Sequence, residues 1–291
     1  MKTATRWGLL FGGALVALGA YAVALHLVPP VAANGLLRPY RRAATQRTPA
    51  SCTDAVFDGV GVKLKAWRCG ASGAPRATLV FLHGVADNRG SAAGLVHRFV
   101  SRQFDVLAYD SRAQGESTGD VCTYGYWEKR DLEKVLDTVR PGPVVLLGTS
   151  LGAAVALQAA AEDRRVTAVV GAEVFSDLRT VARDRAPRFL PEGMITRAFV
   201  LAEDLGSFRL DAVSPLEAAR RIRVPVLLIH GDADSDTRPE HAQRVFRALK
   251  GPKELMLVKG AHHNESLRDE RTWLRIETWL DEVLHHSIAL E

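Results

Sequence analysis

The chain has 291 residues, of which 47% are hydrophobic and 24% charged, and its formal net charge is +5 at pH 7. This size and composition are typical of one globular domain with a substantial core. The Lys and Arg residues form no dense stripe with interleaved aromatic residues, so nucleic-acid binding is not expected. The sequence has no CxxC or HExxH motif, and neither a metal nor a cofactor is predicted.

The most apolar stretch lies near the N-terminus. Residues 8–28 form a run of 21 residues without Asp, Glu, Lys or Arg, and as a helix this run would span about 31 Å, close to the thickness of a bilayer core. Pro29 and Pro30 are expected to end that helix. We therefore predict that residues 1–33 are an uncleaved membrane anchor, which the length of the run favours, or a signal segment cleaved after the small residues 31–33.

Residues 34–50 are basic, polar and interrupted by proline, which predicts a linker beside the membrane, solvated rather than bound to anionic lipid. The positive-inside rule, applied to the arginines of this segment, places the bulk of the protein in the cytoplasm. A signal-like N-terminus favours export instead. We therefore expect a single-pass membrane protein, located in the inner membrane if the source is bacterial. The alternative is that the protein is exported after signal cleavage.

The next segment has the pattern of a β-hairpin. Residues 53–57 and 62–68 are the predicted strands, and Asp58 and Gly59 form the turn. Cys52 and Cys69 flank the hairpin and face each other in one register, so both a disulfide and two free thiols are compatible with the sequence. Cys122 is left unpaired in either case.

Buried-strand and helix patterns alternate along the remaining chain, which predicts an α/β domain over residues 51–291 with a doubly wound, mostly parallel sheet. The predicted strands cover residues 77–82, 105–109, 143–147, 166–170, 224–229 and 254–258. The predicted helices cover residues 95–101, 126–139, 153–161, 239–249 and 272–284. Residues 175–222 break this alternation with several helical pieces and prolines, and are predicted as a small cap over the site, or else as helices that flank the sheet.

The motif Gly148-Thr149-Ser150-Leu151-Gly152 lies between a predicted strand and an Ala-rich helix. The spacing G-x-S-x-G in that context is the signature of a nucleophile elbow. A serine on so sharp a turn needs small residues on both sides, because the chain segments crowd there. The helix that begins beneath the serine directs its free N–H groups at a developing oxyanion. Ser150 is therefore predicted to be a nucleophile.

Other polar loops also follow predicted strands. A Gly-containing loop leaves the strand at residue 82, where α/β sheets place ligands. Aspartates follow the strand that ends at residue 229, and histidines follow the strand that ends at residue 258. The resulting chain order, Ser then Asp then His, is that of an α/β-hydrolase triad.

Five motifs in this order carry a family resemblance over residues 53–284. They are His83-Gly84…Asn88, Tyr109-Asp110-x-Arg112-x-x-Gly115-x-Ser117, Gly148-x-Ser150-x-Gly152, His230-Gly231-x-x-Asp234 and Gly260-x-x-His263-Asn264. On these motifs the chain resembles the serine hydrolases of the α/β-hydrolase fold. It is similar to the branch that has an N-terminal membrane anchor and an oxyanion loop of the form His-Gly-x-x-x-Asn.

The resemblance implies a role for each site residue. Ser150 would be the nucleophile, His263 the base and Asp234 the acid, and the backbone N–H groups of Val85 and Leu151 would bind the oxyanion.

Some neighbouring residues remain alternatives. Asp232 and Asp236 lie two positions to either side of Asp234 and are alternative acids. His262 stands where relatives usually carry Gly, so it is an alternative base. His83 is implied to brace the oxyanion loop rather than to act as a base.

These assignments imply a serine hydrolase that cleaves carboxylic esters or thioesters by two-step acyl transfer. Its expected partners are a small-molecule or lipid-like acyl substrate and the membrane that the N-terminal helix enters. An amidase or peptidase of the same fold is the alternative within enzymes. A catalytically silent, membrane-tethered binding protein is the alternative outside them, because a fold alone does not confer a function. The oligomeric state is not predicted.

Overall fold

The computed structural model describes residues 23–288. One eight-stranded sheet contains β1 (Cys52–Asp58), β2 (Lys63–Cys69), β3 (Ala77–Leu82), β4 (Phe104–Tyr109), β5 (Val144–Thr149), β6 (Val166–Ala172), β7 (Val226–Gly231) and β8 (Lys253–Val258). The helices are α1 (residues 23–37), α2 (Ala93–Val100), α3 (Glu128–Leu136), α4 (Leu151–Ala160), α5 (Leu178–Arg185), α6 (Glu192–Gly206), α7 (Pro215–Ala219), α8 (Glu240–Ala248) and α9 (Glu270–Ile288).

The strands lie in the order β1-β2-β4-β3-β5-β6-β7-β8. β2 is antiparallel to both β1 and β4, whereas the pairs from β4 to β8 are parallel. The predicted mostly parallel, doubly wound sheet is confirmed. Because the parallel strands share one direction, the loops at their carboxyl ends meet at one edge of the sheet.

Helices cover both faces of the sheet. Alternate residues of β5 point to opposite faces, as the two-residue period of a strand requires: Val144 and Leu146 belong to one core, and Val145 and Leu147 to the other. Residues of α3, α4, α7 and α8 fill the first core. Residues of α2 and α9 fill the second. A continuous apolar strand such as β5 is the pattern expected of a strand buried on both faces.

The predicted hairpin is confirmed as β1 and β2. Cys52 and Cys69 are opposite each other in its register, with Cα atoms 3.9 Å apart, and form a disulfide. Cys122 is a buried free thiol. The sequence allowed either a disulfide or two free thiols at the hairpin cysteines, and the structure has the disulfide.

The prediction that the N-terminal helix ends at Pro29 and Pro30 is wrong. Residues 23–37 are helical, so Pro29 and Pro30 do not end the helix. Pro29, Ala33 and Leu37 recur every four residues and are buried against the domain, and this packing outweighs the backbone hydrogen bonds that two prolines remove. Residues 1–22, which hold most of the predicted span, lie outside the described residues. Within residues 23–288, no helix is both long enough and apolar enough to cross a bilayer.

The predicted linker is mostly exposed, and parts of it also form hydrogen bonds with the domain. The backbone N–H of Cys122 donates to the carbonyl of Leu37, and the side chain of Arg41 donates to two backbone carbonyls of the loop after β4. The amide of Asn88 donates to the carbonyl of Arg42 over 3.1 Å. The composition thus agrees with the exposure of this segment, and the hydrogen bonds to the domain were not predicted from it.

Residues 175–222 contain α5, α6, a short 3-10 turn at Leu210–Ala212, and α7. α7 packs against α4 and α8 beside the sheet. The last residues of α5, by contrast, line the cavity at the carboxyl edge of the sheet. The end of α5 therefore lies at the cavity, whereas α7 flanks the sheet.

Candidate active site

Ser150 lies on the sharp turn between β5 and α4. Its φ is +49° and its ψ is −109°, which is a strained conformation for a residue with a side chain. The backbone N–H of Ser150 donates to the carbonyl of Ala172 over 2.8 Å, and its carbonyl accepts the first helical hydrogen bond, from Ala154. These contacts with β6 and α4 hold the strained turn and leave the side chain at the carboxyl edge of the sheet.

The three residues predicted as nucleophile, base and acid lie in one hydrogen-bonded row. Nε2 of His263 is 3.1 Å from Oγ of Ser150, and Nδ1 of His263 is 2.7 Å from Oδ2 of Asp234. They come from the loops after β5, β8 and β7. All three side chains are largely buried, so their interactions are screened little by solvent.

Asp234 is held as an anion by several donors. Its Oδ1 accepts the backbone N–H groups of Asp236 and Thr237. Burial acts to raise the pKa of Asp234, but hydrogen bonds from His230, His263 and the Thr237 N–H outweigh it, and the pKa lies well below its usual range. Asp234 is therefore ionised at neutral pH and available to orient an imidazole and to stabilise its cation.

The histidine beneath Asp234 is fixed in one tautomer. Nε2 of His230 is 2.6 Å from the carbonyl of Thr237 and 3.3 Å from Oδ2 of Asp234. Since a carbonyl only accepts, Nε2 carries the proton. Nδ1 of His230 is buried and has no partner in the described part of the chain. His230 thus contacts the loop that carries Asp234.

The alternative acids and base lie outside the hydrogen-bonded row of Ser150, His263 and Asp234. Asp232 accepts the backbone N–H of Gly260 and helps to form the loop that carries the histidines. Asp236 and His262 are exposed, and the backbone N–H of His262 donates to Glu265. Among the candidates that the sequence left open, the pair in contact is Asp234 and His263.

The loop after β3 contains Val85 and forms one wall of the site. His83 is buried, its Nδ1 lies 2.7 Å from the carbonyl of Gly84, and its Nε2 accepts the N–H of Ser111 over 2.9 Å. Burial lowers the pKa of His83, so the ring is neutral, as these two bonds require. This bracing role is the one implied for His83. Gln114 accepts the N–H of Ala86 over 2.6 Å and fixes the loop one residue beyond Val85.

A buried carboxylate supports the far end of the same loop. Asp110 accepts the backbone N–H of Arg89 over 2.7 Å and its guanidinium over 2.5 Å. It also accepts the N–H of Glu116. A Cβ on Gly115, where φ is +51°, would lie 2.3 Å from this carboxylate. The second motif of the sequence thus positions the loop that holds Val85.

Two cavities meet at the site. The first, of about 510 Å³, is lined by Val85, Ser150, Asp184, Arg185, Ser235, Asp236, His263 and Asn264. The second, of about 570 Å³, shares Val85 and Asn264 with the first. Its other lining residues include the apolar Phe81, Leu95, Leu267 and Trp273 and the charged Arg42, Asp87, Glu173 and Arg268. Within residues 23–288, no cluster of three His, Cys, Asp or Glu residues has the arrangement of a metal site.

Glu173 is a site residue that the sequence analysis missed. It follows β6, is 1% exposed and has a φ of +58°. Its Oε2 is 3.9 Å from Nδ1 of His263. The signal that could have revealed it is an acidic residue immediately after a buried parallel strand, at the edge where ligands bind.

Comparison with known proteins supports the fold. A model of the alpha/beta hydrolase fold matches residues 77–207. The uncharacterized protein YqkD of Bacillus subtilis is 29% identical over 222 residues, which cover 71% of this chain and 72% of that protein. The uncharacterized protein YfhR of Escherichia coli K12 is 28% identical over 277 residues, which cover 90% of this chain and 91% of that protein.

A solved structure extends the comparison. The esterase Pf2001 of Pyrococcus furiosus superposes with a TM-score of 0.69 over 85% of this chain and 98% of that protein, at 21% identity. Similarity at this identity establishes the fold and not the reaction. The chain therefore has the alpha/beta hydrolase fold and is similar in sequence to YqkD and YfhR.

Proposed function

We propose that this protein is a serine hydrolase that cleaves carboxylic esters or thioesters through an acyl-enzyme on Ser150. The observation that supports it best is the hydrogen-bonded row from Ser150 Oγ through the His263 ring to the Asp234 carboxylate. A nucleophile whose base is in turn oriented by a third group is the general arrangement for activating a serine hydroxyl.

In the proposed reaction, Nε2 of His263 takes the hydroxyl proton as Ser150 Oγ bonds to the acyl carbon. Collapse of the tetrahedral intermediate breaks the bond to the leaving group, which receives that proton from His263 and departs as an alcohol or thiol. Water then adds to the acyl carbon with the same base, and the acid is released as Ser150 regains its proton. Asp234 keeps Nδ1 protonated and stabilises the imidazolium in both steps.

The oxyanion would be bound by the backbone N–H groups of Val85 and Leu151. Leu151 is the first residue of α4, so its N–H has no acceptor within the helix, and the positive end of the helix dipole lies beside it. Val85 lies in the cavity wall beside Ser150, in the loop that His83 and Gln114 brace. Loss of one oxyanion donor typically costs about 3 kcal/mol of transition-state stabilisation.

The two cavities support an acyl substrate with a polar part. The apolar side chains of the second cavity can contact a hydrocarbon chain, although charged side chains also line that cavity. The first cavity, which contains Ser150, is lined mostly by polar and charged side chains. Binding sites of this kind combine an apolar lining with a few placed polar groups. We propose a small-molecule or lipid-like ester as the substrate.

The test is hydrolysis of p-nitrophenyl esters from acetate to palmitate by the wild type and Ser150→Ala, with labelling by a fluorophosphonate. We expect turnover with a maximum at one acyl length, and loss of both turnover and labelling in the variant. Faster cleavage of a matched amide than of its ester would favour an amidase or peptidase. Absence of both turnover and labelling would favour a binding protein and overturn the proposal.

We also propose that residues 8–28 anchor the protein in a membrane. The apolar run in the sequence supports this, as does the exposure of Val23, Leu27 and Val31 at four-residue spacing along α1. The test is carbonate extraction of membranes from cells that express the full chain, with the Leu18→Arg variant in parallel and intact mass to detect cleavage. Retention of the wild type and release of the variant is expected. Release of both, at full mass, would exclude an anchor.

A further inference from the structure

A buried glutamate stands behind the histidine of the active site. Glu173 is 1% exposed, although glutamate is almost never fully buried unless it is paired. Its backbone N–H donates to the carbonyl of Ile229 over 2.8 Å, so its position is fixed between β6 and β7. In the described part of the chain, no Lys or Arg forms an ion pair with it, and its ion-pair contact is with His263. A buried carboxylate without a cationic partner is costly and needs a reason.

The carboxylate holds the loop that carries His263. Oε2 of Glu173 accepts the backbone N–H of Asn264 over 2.6 Å. Oε1 accepts the hydroxyl of Ser266 over 2.7 Å and its backbone N–H over 3.2 Å. Asn264 has a φ of +64°, a conformation that needs support from its surroundings. The loop after β8 is thus bound to the end of β6 immediately beyond the imidazole.

The same carboxylate faces the imidazole at a distance that excludes a hydrogen bond. Nδ1 of His263 is 2.7 Å from Asp234 and 3.9 Å from Oε2 of Glu173. Asp234 therefore accepts the hydrogen bond from Nδ1–H, and Glu173 acts on the ring through its charge. In a buried site, a charge at this distance changes a neighbouring protonation equilibrium measurably.

Resting on the proposed function, we propose that Glu173 is a positioning residue for His263: it fixes the loop after β8 and stabilises the imidazolium that forms during acyl transfer. Asp234 orients the ring by a hydrogen bond, and Glu173 adds a second negative charge behind it. The site then holds two carboxylates with separate tasks.

Other charged groups lie near the ring and near Glu173, which lines a cavity together with Arg42, Asp87 and Arg268. Asp234 contacts Nδ1, and His230 lies behind Asp234. Asp184, Arg185 and Asp236 line the cavity in front of Nε2. His262 and Glu265 belong to the same loop as His263, and both are directed at solvent or at that loop. The substitution of Glu173 leaves all of them in place.

The test compares Glu173→Gln with Ser266→Ala. Glutamine is isosteric, and its amide can still accept from Asn264 and donate to the Ser266 hydroxyl, so this variant removes the charge together with the acceptor of the Ser266 backbone N–H. Ser266→Ala removes a loop hydrogen bond and keeps the charge. The readout is the pH titration of the downfield imidazole N–H proton resonance, assigned by its loss in His263→Gln, with kcat/KM measured over the same pH range.

We expect the titration midpoint of Glu173→Gln to lie about one pH unit below that of the wild type, because the imidazolium loses an anionic neighbour. The acid limb of kcat/KM should move with it, and the maximal kcat should fall up to about tenfold. Ser266→Ala should keep the wild-type midpoint. Equal midpoints in wild type and Glu173→Gln, with activity losses that match those of Ser266→Ala, would overturn the proposal.

Two further measurements keep the outcome clear. If Glu173→Gln does not fold, Glu173→Asp replaces it: it retains the charge, so an unchanged midpoint is expected and a midpoint lowered by about one unit would overturn the proposal. If the wild type hydrolyses no ester and Ser150 is not labelled, the proposed function fails. The resonance titration still tests the effect of Glu173 on His263 in that case, because it requires no turnover.

Discussion

Gly152 packs directly against the last residue of β3: a Cβ on Gly152 would lie 1.9 Å from the carbonyl oxygen of Leu82. A Cβ on Gly148 would lie 2.3 Å from the carbonyl carbon of Gly152. Among the described residues with positive φ, neither glycine appears. The two glycines of the elbow are therefore required by close backbone contact and not by their own backbone conformation.

Gly152→Ala should destabilise the protein by about 2 kcal/mol or more. Alanine gains up to about 1 kcal/mol of helix propensity over glycine, but the overlap with the backbone of β3 cannot be relieved by rotating a side chain, and overpacking costs about 1–3 kcal/mol or more. Urea unfolding measures the difference. Gly193→Ala is the control, because its Cβ would meet no atom within 4 Å. That variant should be stabilised by up to about 1 kcal/mol, and equal effects of the two substitutions would contradict the explanation.

The elbow could be predicted from the sequence because its determinants are local: a strand, a five-residue motif and a helix follow one another in the chain. The end of α1 could not be predicted from the sequence in this way. Pro29 and Pro30 are strong local signals for a helix end, and the burial of Ala33 and Leu37 against distant parts of the domain outweighs them. A local rule fails where tertiary packing supplies the larger free energy.

The site was predicted in part for a similar reason. The chain order Ser, Asp, His gave the three loops, but the choice among Asp232, Asp234 and Asp236 depends on how one loop curves beneath His263. Glu173 is 91 residues from the backbone N–H that it binds in Asn264, so no local pattern reveals the contact.

Arg112 and Asp131 form a buried ion pair. Nε of Arg112 donates to Oδ2 of Asp131 over 2.7 Å and a terminal nitrogen donates to Oδ1 over 2.8 Å, and the Asp131 side chain is 1% exposed. Arg112→Met should cost about 3–5 kcal/mol, because it leaves an uncompensated buried charge. Arg130→Gln, which removes an exposed pair with Glu133, should cost less than about 1 kcal/mol.

The unpaired charge can be tested separately. Asp131→Asn in the Arg112→Met background removes the buried anion and should recover part of the loss. Full recovery is not expected: the asparagine oxygen can keep the hydrogen bond from the Val60 N–H, but its NH2 group replaces a carboxylate oxygen at a buried position where Arg112 no longer provides a partner. Urea unfolding of the wild type, Arg112→Met, Arg130→Gln and the double variant gives the comparison. A double variant less stable than Arg112→Met would show that the lost stability does not come from the charge.

The Cys52–Cys69 disulfide should stabilise the folded protein by about 3 kcal/mol, as expected for the loop closed by its sequence separation of 17. A reductant should therefore lower the urea midpoint of the wild type and leave Cys52→Ser/Cys69→Ser unchanged. The buried Cys122 should react with iodoacetamide only after unfolding. If the urea midpoint of the wild type is the same with and without reductant, the disulfide does not contribute to stability and the strand pairing alone holds the hairpin.

The stability of the protein should fall as the pH decreases below about 6.5. Burial lowers the pKa of His83 and of His241 in the folded state, whereas both titrate near 6.5 in the unfolded chain. The unfolded state then binds more protons below that pH, so acid favours unfolding.

His83→Gln removes one of these groups and should reduce the loss of stability between pH 7.5 and 5.5 by about 1 kcal/mol. His97→Gln, at an exposed position of α2, should keep the wild-type slope in the same urea titrations. An unchanged slope in His83→Gln would show that the His83 ring is protonated in the folded protein, against the hydrogen bond that its Nε2 accepts from Ser111.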